Sequence, residues 1–398
     1  MNAQPPLSLN LQTEVLTTPA QIKAIKPEWH DLSLAAARAS CFSSPSYFQA
    51  WCAAASDDVA WSVLSVRRAG DLIGIMPLMR ASVRRGPSCA PRHDFAPADR
   101  AYLGQNAPRP FKLRQISAVV SIPCALVGPA PLCAVKDMDH VLDAVVKQLA
   151  SLGGWDTFAV PVDVKSGQEP WKTALGTAGF KPWVLRLDRH ISGIEGLMPF
   201  ADIVAGQSRN FRKNIRRAQR AATLAGLEIR IWEGAEAVRD RLPVIAAVAN
   251  QSWKANGASQ GLHIPYQGVQ RAFIEALIET PDLDNDLTPV LAEARIDGQP
   301  VAVLLSLRHG DRLTALLTFR NDQGAGASPG LLLIGRMIDW AYKRRLAGYD
   351  LNLTQNWARH LTNHSTQQNI VVCYANTLRG RIFAGISRQA RRRHEAQS

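Results

Sequence analysis

The sequence predicts an α/β protein of two similar halves in tandem, each a mixed, mostly antiparallel sheet flanked by helices. Three observations predict it. Apolar runs of strand length, separated by Gly-containing turns, alternate with helical periods in both halves. The later half closes with a three-strand meander, a helix and a further strand, an order that makes the last strand parallel to the one before the helix, by a right-handed crossover. The chain has 398 residues, 46% apolar and 20% charged, enough for two or three domains.

Glycine and proline are spread along the chain, which excludes a disordered, collagen-like or repeat protein. Lys and Arg number 46 against 33 Asp and Glu, and the net charge of +13 favours phosphate-bearing or anionic-surface partners. The six cysteines, Cys41, Cys52, Cys89, Cys124, Cys133 and Cys373, form no CxxC pair and meet no ligand-like histidine spacing. They read as reduced, buried thiols, and no metal is expected. The first 27 residues show no basic region followed by an apolar run, and no uninterrupted apolar window of about 18 residues occurs elsewhere. The expected place is the cytoplasm, with peripheral attachment to the inner membrane as the alternative.

In the first half, WSVLSVR and LIGIMPLM flank a turn at Arg68-Ala69-Gly70-Asp71 and predict a hairpin whose second strand ends near Pro77. Residues 82–110, rich in Pro and Arg, are too irregular for a core element. Residues 138–152 have helical period, 155–162 read as a strand, and 169–178 as a helix closed by Gly179.

In the second half, 208–225 predict a strongly basic helix, and 242–254 and 269–279 are helical by period. Segments 289–295, 301–308 and 313–320 form the meander, joined at Asp297-Gly298 and His309-Gly310-Asp311. After the loop 321–327, Ser328 is a good N-cap and Pro329 suits the first helical position, opening a helix that runs to Gly348. Residues 349–353 are the returning strand.

Ligands of such sheets bind beyond the carboxyl ends of the strands at a topological switch. The loop after the meander lies there, and a helix N-terminus offers amides to a phosphate. Gln323, Gly324, Gly326, Ser328, Pro329 and Gly330 supply small residues for close backbone approach, with Arg320 and Arg336 bordering them. The plain alternative is an ordinary capped loop.

This order of elements resembles the GNAT acyltransferase fold, in which an acyl-coenzyme A pyrophosphate rests on the helix N-terminus after the fourth strand. Residues 328–359 are similar to the CelD-like and FemAB-like branch, whose chains often read SPG, an apolar helix, a strand with Asp, and Tyr-Lys nine residues on. Here Ser328-Pro329-Gly330 opens the helix, Asp350 matches the strand Asp, and Arg359 stands at the Lys position. Phe42-x-x-Pro45-x-Tyr47-Phe48-x-x-Trp51, Gly74-x-Met76-Pro77-Leu78 and the basic helix resemble the same branch. The Gly-rich stretch departs from the usual Gln/Arg-x-x-Gly-x-Gly/Ala pattern, and Leu351-Asn352-Leu353-Thr354 replaces the branch's Phe-x-x-Gly. The resemblance covers most of residues 42–359. It implies two tandem GNAT-like halves, 28–190 and 191–398, with acyl-coenzyme A as co-substrate of the second.

Acyl transfer to an amine requires removing a proton from the ammonium, polarising the thioester carbonyl and stabilising the departing thiolate. Asp350 is a candidate base or amine holder, or a structural strand-end Asp. His360 and His263 are rival bases. Asn352, Arg359, Trp253 and Lys254 are candidate substrate contacts, against a core Trp253 and a solvated Lys254. Attack would be direct, because no cysteine sits in the motif region, with an amide of strand 313–320 meeting the oxyanion.

Arg209, Arg212, Lys213, Arg216 and Arg220 share one helix face with no acid among them, and like charges at this spacing ask for an anion. A coenzyme A phosphate, an anionic lipid headgroup and nucleic acid all qualify, against a solvated face. Arg379, Arg381, Arg388, Arg391, Arg392 and Arg393 read as a basic tail, either touching an anionic membrane or solvated.

The expectation is therefore an acyl-coenzyme A-dependent N-acyltransferase, its acceptor a sphingoid-type lipid amine or an envelope-polysaccharide amino sugar. The alternatives are a FemAB-like aminoacyl-tRNA-dependent transferase, although no long helical-hairpin insertion is evident between Ser208 and Asp311, and a non-catalytic nucleic-acid-binding protein. GxSxG, HExxH, GxxxxGK[ST] and paired-carboxylate signatures are missing, so hydrolase, metalloprotease, nucleotidase and glycosidase readings have no support.

Overall fold

Two strand arrays, alike in plan, meet edge to edge in one sheet. The computed structural model describes residues 11–36, 40–54, 59–85, 111–118, 131–252, 266, 268–352 and 358–395. Its first part holds β1 (Leu11–Leu16), α1 (Pro19–Ala35), α2 (Pro45–Ala54), β2 (Val59–Arg68), β3 (Asp71–Arg85), β4 (Phe111–Ala118), β5 (Leu132–Cys133), α3 (Met138–Ser151), β6 (Thr157–Asp163), α4 (Gln168–Thr177) and β7 (Trp183–Glu195). Then come α5 (Phe200–Ala205), α6 (Arg209–Leu224), β8 (Glu228–Glu233), α7 (Ala235–Arg239), α8 (Leu242–Asn250), α9 (Gly268–Ile278), β9 (Thr288–Ile296), β10 (Gln299–His309) and β11 (Arg312–Arg320). The last elements are α10 (Pro329–Lys343), β12 (Gly348–Asp350), β13 (His364–Tyr374) and α11 (Leu378–Glu395).

The strand order is β1-β2-β3-β4-β6-β13-β7-β12-β11-β10-β9-β8, with β5 paired to β3. Each array holds one parallel pair, β4 with β6 and β11 with β12, and is otherwise antiparallel. The arrays exchange strands at the seam. β13, from the end of the chain, lies between β6 and β7, while β7 pairs with β12.

In the second array the pleat sends alternate residues to opposite layers. Val290, Ala292, Ala294, Ala302 and Leu304 pack with α10, α5 and α6, whereas Leu291, Val303, Leu305 and Leu307 pack with α8 and α9. Burial on both faces explains why β9 and β10 read as nearly continuous apolar runs. Tyr47 and Trp51 of α2 join that second layer, and the Tyr47 ring lies 4.9 Å from Phe273 of α9. Burying each such ring contributes on the order of 2–3 kcal/mol.

Three local expectations change. β3 does not end at Pro77 but runs to Arg85, pairing with β2 through Pro77 to Ala81 and with β4 from Leu78 to Arg85, while Met76 and Pro77 have no partner among the described residues on the side away from β2. Ser328 takes the N-cap position in a left-handed conformation (φ 49°) and its hydroxyl caps nothing. The C-terminal basic run is no tail: α11 carries it, with Phe383 packed against Tyr374.

Candidate active site

The parallel ladder between β11 and β12 has three rungs, Arg312 with Gly348, Leu313 with Tyr349 and Thr314 with Asp350. Beyond Thr314 the strands part, and β11 continues to Arg320 with no described strand on that side. A bulge lies just past the fork. The register with β10 slips between Leu305/Leu317 and Ser306/Ala315, leaving Leu316 as the extra residue and re-aiming the backbone there.

The short arm of the fork is tightly held. The Leu351 amide donates to Ser192 O at 2.9 Å, and the chain rejoins β7 where the Asn363 amide donates to Gly193 O at 3.2 Å. Asn352, at the mouth, is buried and left-handed (φ 65°), and its Oδ1 has no hydrogen-bond partner among the described residues. A buried acceptor without a partner among the described residues can take a donor from a ligand.

Asp350 is anchored. Arg312 reaches it at 3.3 Å and grips Glu195 of β7 with both terminal nitrogens, at 2.9 and 2.8 Å. Those partners hold the Arg312 guanidinium above its ordinary value against the cost of its burial. Gly348 is required beneath it, since a Cβ there would stand 2.7 Å from Arg312 Nη2.

The other end of β11 leads to the loop before α10. Asn321 organises it, its Oδ1 accepting from the Gly324 amide at 3.2 Å and its Nδ2 donating to Gln251 Oε1 at 3.1 Å. Gly324 is packed in, a Cβ meeting Pro329 Cγ at 3.1 Å and Val301 Cβ at 3.3 Å. Gly326 and Gly330 face open space. Gln323 and Ser328 are exposed, Pro329 is buried, and Arg320 keeps a buried Nη1 with no partner. The Leu331 amide is taken by Ser328 O, whereas first-turn amides such as that of Gly330 precede any intrahelical acceptor.

α6 packs beside this loop, against its single turn at Ala325–Ala327. Burial of Phe211, Ile215, Ala218 and Ala222 leaves Arg209, Lys213, Arg216, Arg217 and Arg220 exposed with no carboxylate partner among the described residues. Arg212 leaves the expected cationic face to bond Ala205 O and Gln207 O, at 3.1 and 2.7 Å. Arg336 is exposed on α10.

Of the remaining candidates, His360 is exposed and stacks on Phe211 at 4.7 Å, and Arg359 beside it is exposed. Trp253, Lys254 and His263 lie outside the described residues. Sequence reasoning missed Cys41. It directly precedes the Phe42-x-x-Pro45 motif, and its buried thiol bonds Thr314 and feels the charge of Asp350, the two residues of the last rung. Burial drives that thiol well above the ordinary cysteine range, so it stands as a neutral SH rather than a thiolate nucleophile.

Tertiary contact also assembles Ser33, His309 and Asp286, with Ser33 Oγ 3.0 Å from His309 Nε2. Ser33 and His309 are 0% and 1% exposed, and Nδ1 hydrogen-bonds the Asp286 carbonyl at 3.1 Å with the carboxylate farther off at 3.8 Å, so the set is a buried structural clasp and no hydrolytic triad. No cluster of metal-ligating side chains occurs among the described residues, and no helix there is long and apolar enough to cross a membrane.

No curated protein matches the chain by sequence. Among solved structures, FemX is similar at 12% identity with a TM-score of 0.57, covering 90% of this chain and 96% of that one. The C-terminal domain (DUF2156) of a putative lysylphosphatidylglycerol synthetase from Agrobacterium fabrum is similar at 11% identity with a TM-score of 0.50, covering 88% and 92%. A tandem GNAT protein from the clavulanic acid biosynthesis pathway aligns at 12% identity and a TM-score of 0.48, covering 92% and 99%. At these identities the likeness is one of fold. Residues 209–358, which carry α6, the forked strands and the loop before α10, match the family model of an acetyltransferase (GNAT) domain.

Proposed function

We propose that the protein is an N-acyltransferase of the CelD-like and FemAB-like branch, moving an acyl group from acyl-coenzyme A to a primary amine. The fork of β11 and β12 beyond Thr314 and Asp350, with the N-terminus of α10 at its far end, carries this reading. The pyrophosphate would rest on the Gly326 and Gly330 backbone with the free Nη1 of Arg320, and the thioester would lie along β11, whose amide beyond the bulge meets the oxyanion. Asp350, fixed by Arg312, holds the acceptor ammonium and takes its proton, and Asn352 Oδ1 accepts a second N–H. His360 and His263 are the rival bases. The neutral Cys41 thiol favours direct attack of the amine on the thioester: the nitrogen–carbon bond forms as the carbonyl becomes the oxyanion, whose collapse breaks the carbon–sulfur bond, and coenzyme A leaves as the thiol with the proton that the amide nitrogen gives up.

The acceptor is a lipid amine of sphingoid type or an envelope amino sugar. One experiment reads both partners: the protein is incubated with labelled short- and long-chain acyl-coenzyme A and a cell lipid extract, alongside a thermal-shift titration with coenzyme A. Stabilisation by coenzyme A that disappears in Gly330→Asp, together with a labelled amide, supports the reading. No coenzyme A effect at any concentration removes it. The unpaired cations of α6 favour a second reading, a FemAB-like transfer from charged tRNA, for which salt-sensitive RNA binding without a coenzyme A effect is the signature.

A further inference from the structure

We propose that α11 docks the protein on an anionic bilayer, Leu378 and Ile382 entering the headgroup layer while Arg381 and Arg388 meet lipid phosphates. This is independent of the transferase reading. Phe383 faces inward, packed with Tyr374, and Gly380 is pressed against the Ala375 backbone, so one side of the helix is fixed to the protein. Leu378, Arg381, Ile382, Gly385 and Arg388 are all exposed, and their spacing of three and four residues places them on a single face.

That face differs from the rest of the surface. Seven large apolar side chains are exposed among the described residues, and only Leu378 (79%) and Ile382 (55%) stand one helical turn apart. Arg381 and Arg388 have no carboxylate partner among the described residues. Arg379 is already engaged, 3.3 Å from Asp156 and over the Phe383 ring, and belongs to the fixed side. The helix carries six arginines, and its only acid is Glu395 in the last turn.

Charge complementarity selects the occupant. An anionic lipid surface supplies phosphates beside a layer that accepts aliphatic side chains. A nucleic acid supplies the phosphates but gains little from an isolated Leu and Ile, since its stacking platforms are aromatic. A second copy of the chain would bring the same cations face to face. The α6 cations adjoin the loop before α10 and are a separate surface.

The test is co-sedimentation of the full chain with vesicles of equal parts phosphatidylglycerol and phosphatidylcholine, with pure phosphatidylcholine vesicles and a tRNA mobility shift run in parallel. Binding should appear on the mixed vesicles alone and fall with added salt. Arg381→Gln with Arg388→Gln should weaken it by roughly tenfold or more, and Leu378→Gln with Ile382→Gln should weaken it at unchanged Tm and helix content. All four positions are exposed, so these variants keep the fold. No binding to mixed vesicles overturns the proposal. So does vesicle binding that both double variants leave intact, or variants that lose tRNA binding while vesicle binding persists.

Discussion

Arg312 spans the seam between the two arrays by holding Glu195 through both carboxylate oxygens, at 2.9 and 2.8 Å, while the same guanidinium touches Asp350. The β12 strand has only three residues, so its position depends on this clasp as much as on its ladder bonds. Arg312→Met strands Asp350 without its cation. With Glu195 39% exposed, the expected loss is about 2 kcal/mol, the cost of breaking a partly solvated pair. Urea unfolding measures it, and an unchanged midpoint would show the clasp to be energetically idle.

Gly348→Ala should act on the same clasp from beneath. Its Cβ would press to 2.7 Å from a nitrogen that Glu195 and Asp350 prevent from moving aside. We expect destabilisation of about 1–3 kcal/mol, as for overpacking, and none in the background of Arg312→Met. A double-mutant cycle reads the difference.

Asp350→Asn should abolish amide formation while coenzyme A still raises Tm, because the carboxylate lies at the fork and the proposed phosphate contacts lie at the other end of β11. Turnover at the wild-type rate would remove Asp350 from the chemistry and leave it as an anchor for Arg312.

Cys41→Ala should retain turnover within a few-fold, since a thiol kept protonated by burial is no nucleophile. Stability should drop by about 1–2 kcal/mol for the lost buried sulfur. A labelled acyl group trapped on the wild-type protein and absent from this variant would establish a covalent route instead.

Acid should loosen the α1 contact with the second array. His309 Nδ1 donates to Asp286 O at 3.1 Å, Ser33 approaches Nε2, and His30 Nδ1 lies 3.0 Å from Asp286 Oδ1. Burial depresses the His309 pKa below its ordinary 6.5. Below that pH the unfolded chain binds more protons than the native one, so stability falls as pH drops from about 6.5 toward the folded value. Urea titrations from neutral to acidic pH should show this slope, flattened in His309→Gln.

Periodicity and turn chemistry alone placed the β9–β10–β11 meander, the crossover helix and the basic α6, because each is specified by residues within one or two turns of sequence. The same local signals put the loop 321–330 at the end of β11 and Asp350 on the returning strand. They misjudged Pro77, Ser328 and the C-terminal run. Tolerance of a proline depends on which strands flank it, a cap depends on the actual backbone angle, and an arginine-rich segment becomes helix once Phe383 finds Tyr374. What only the tertiary structure decided is the pairing of distant segments. The exchange of β7 and β13, the Glu195–Arg312–Asp350 clasp, and Cys41 beside Thr314 join residues tens to hundreds of positions apart. Such contacts are selected by shape and charge in three dimensions, and they leave no period in the sequence.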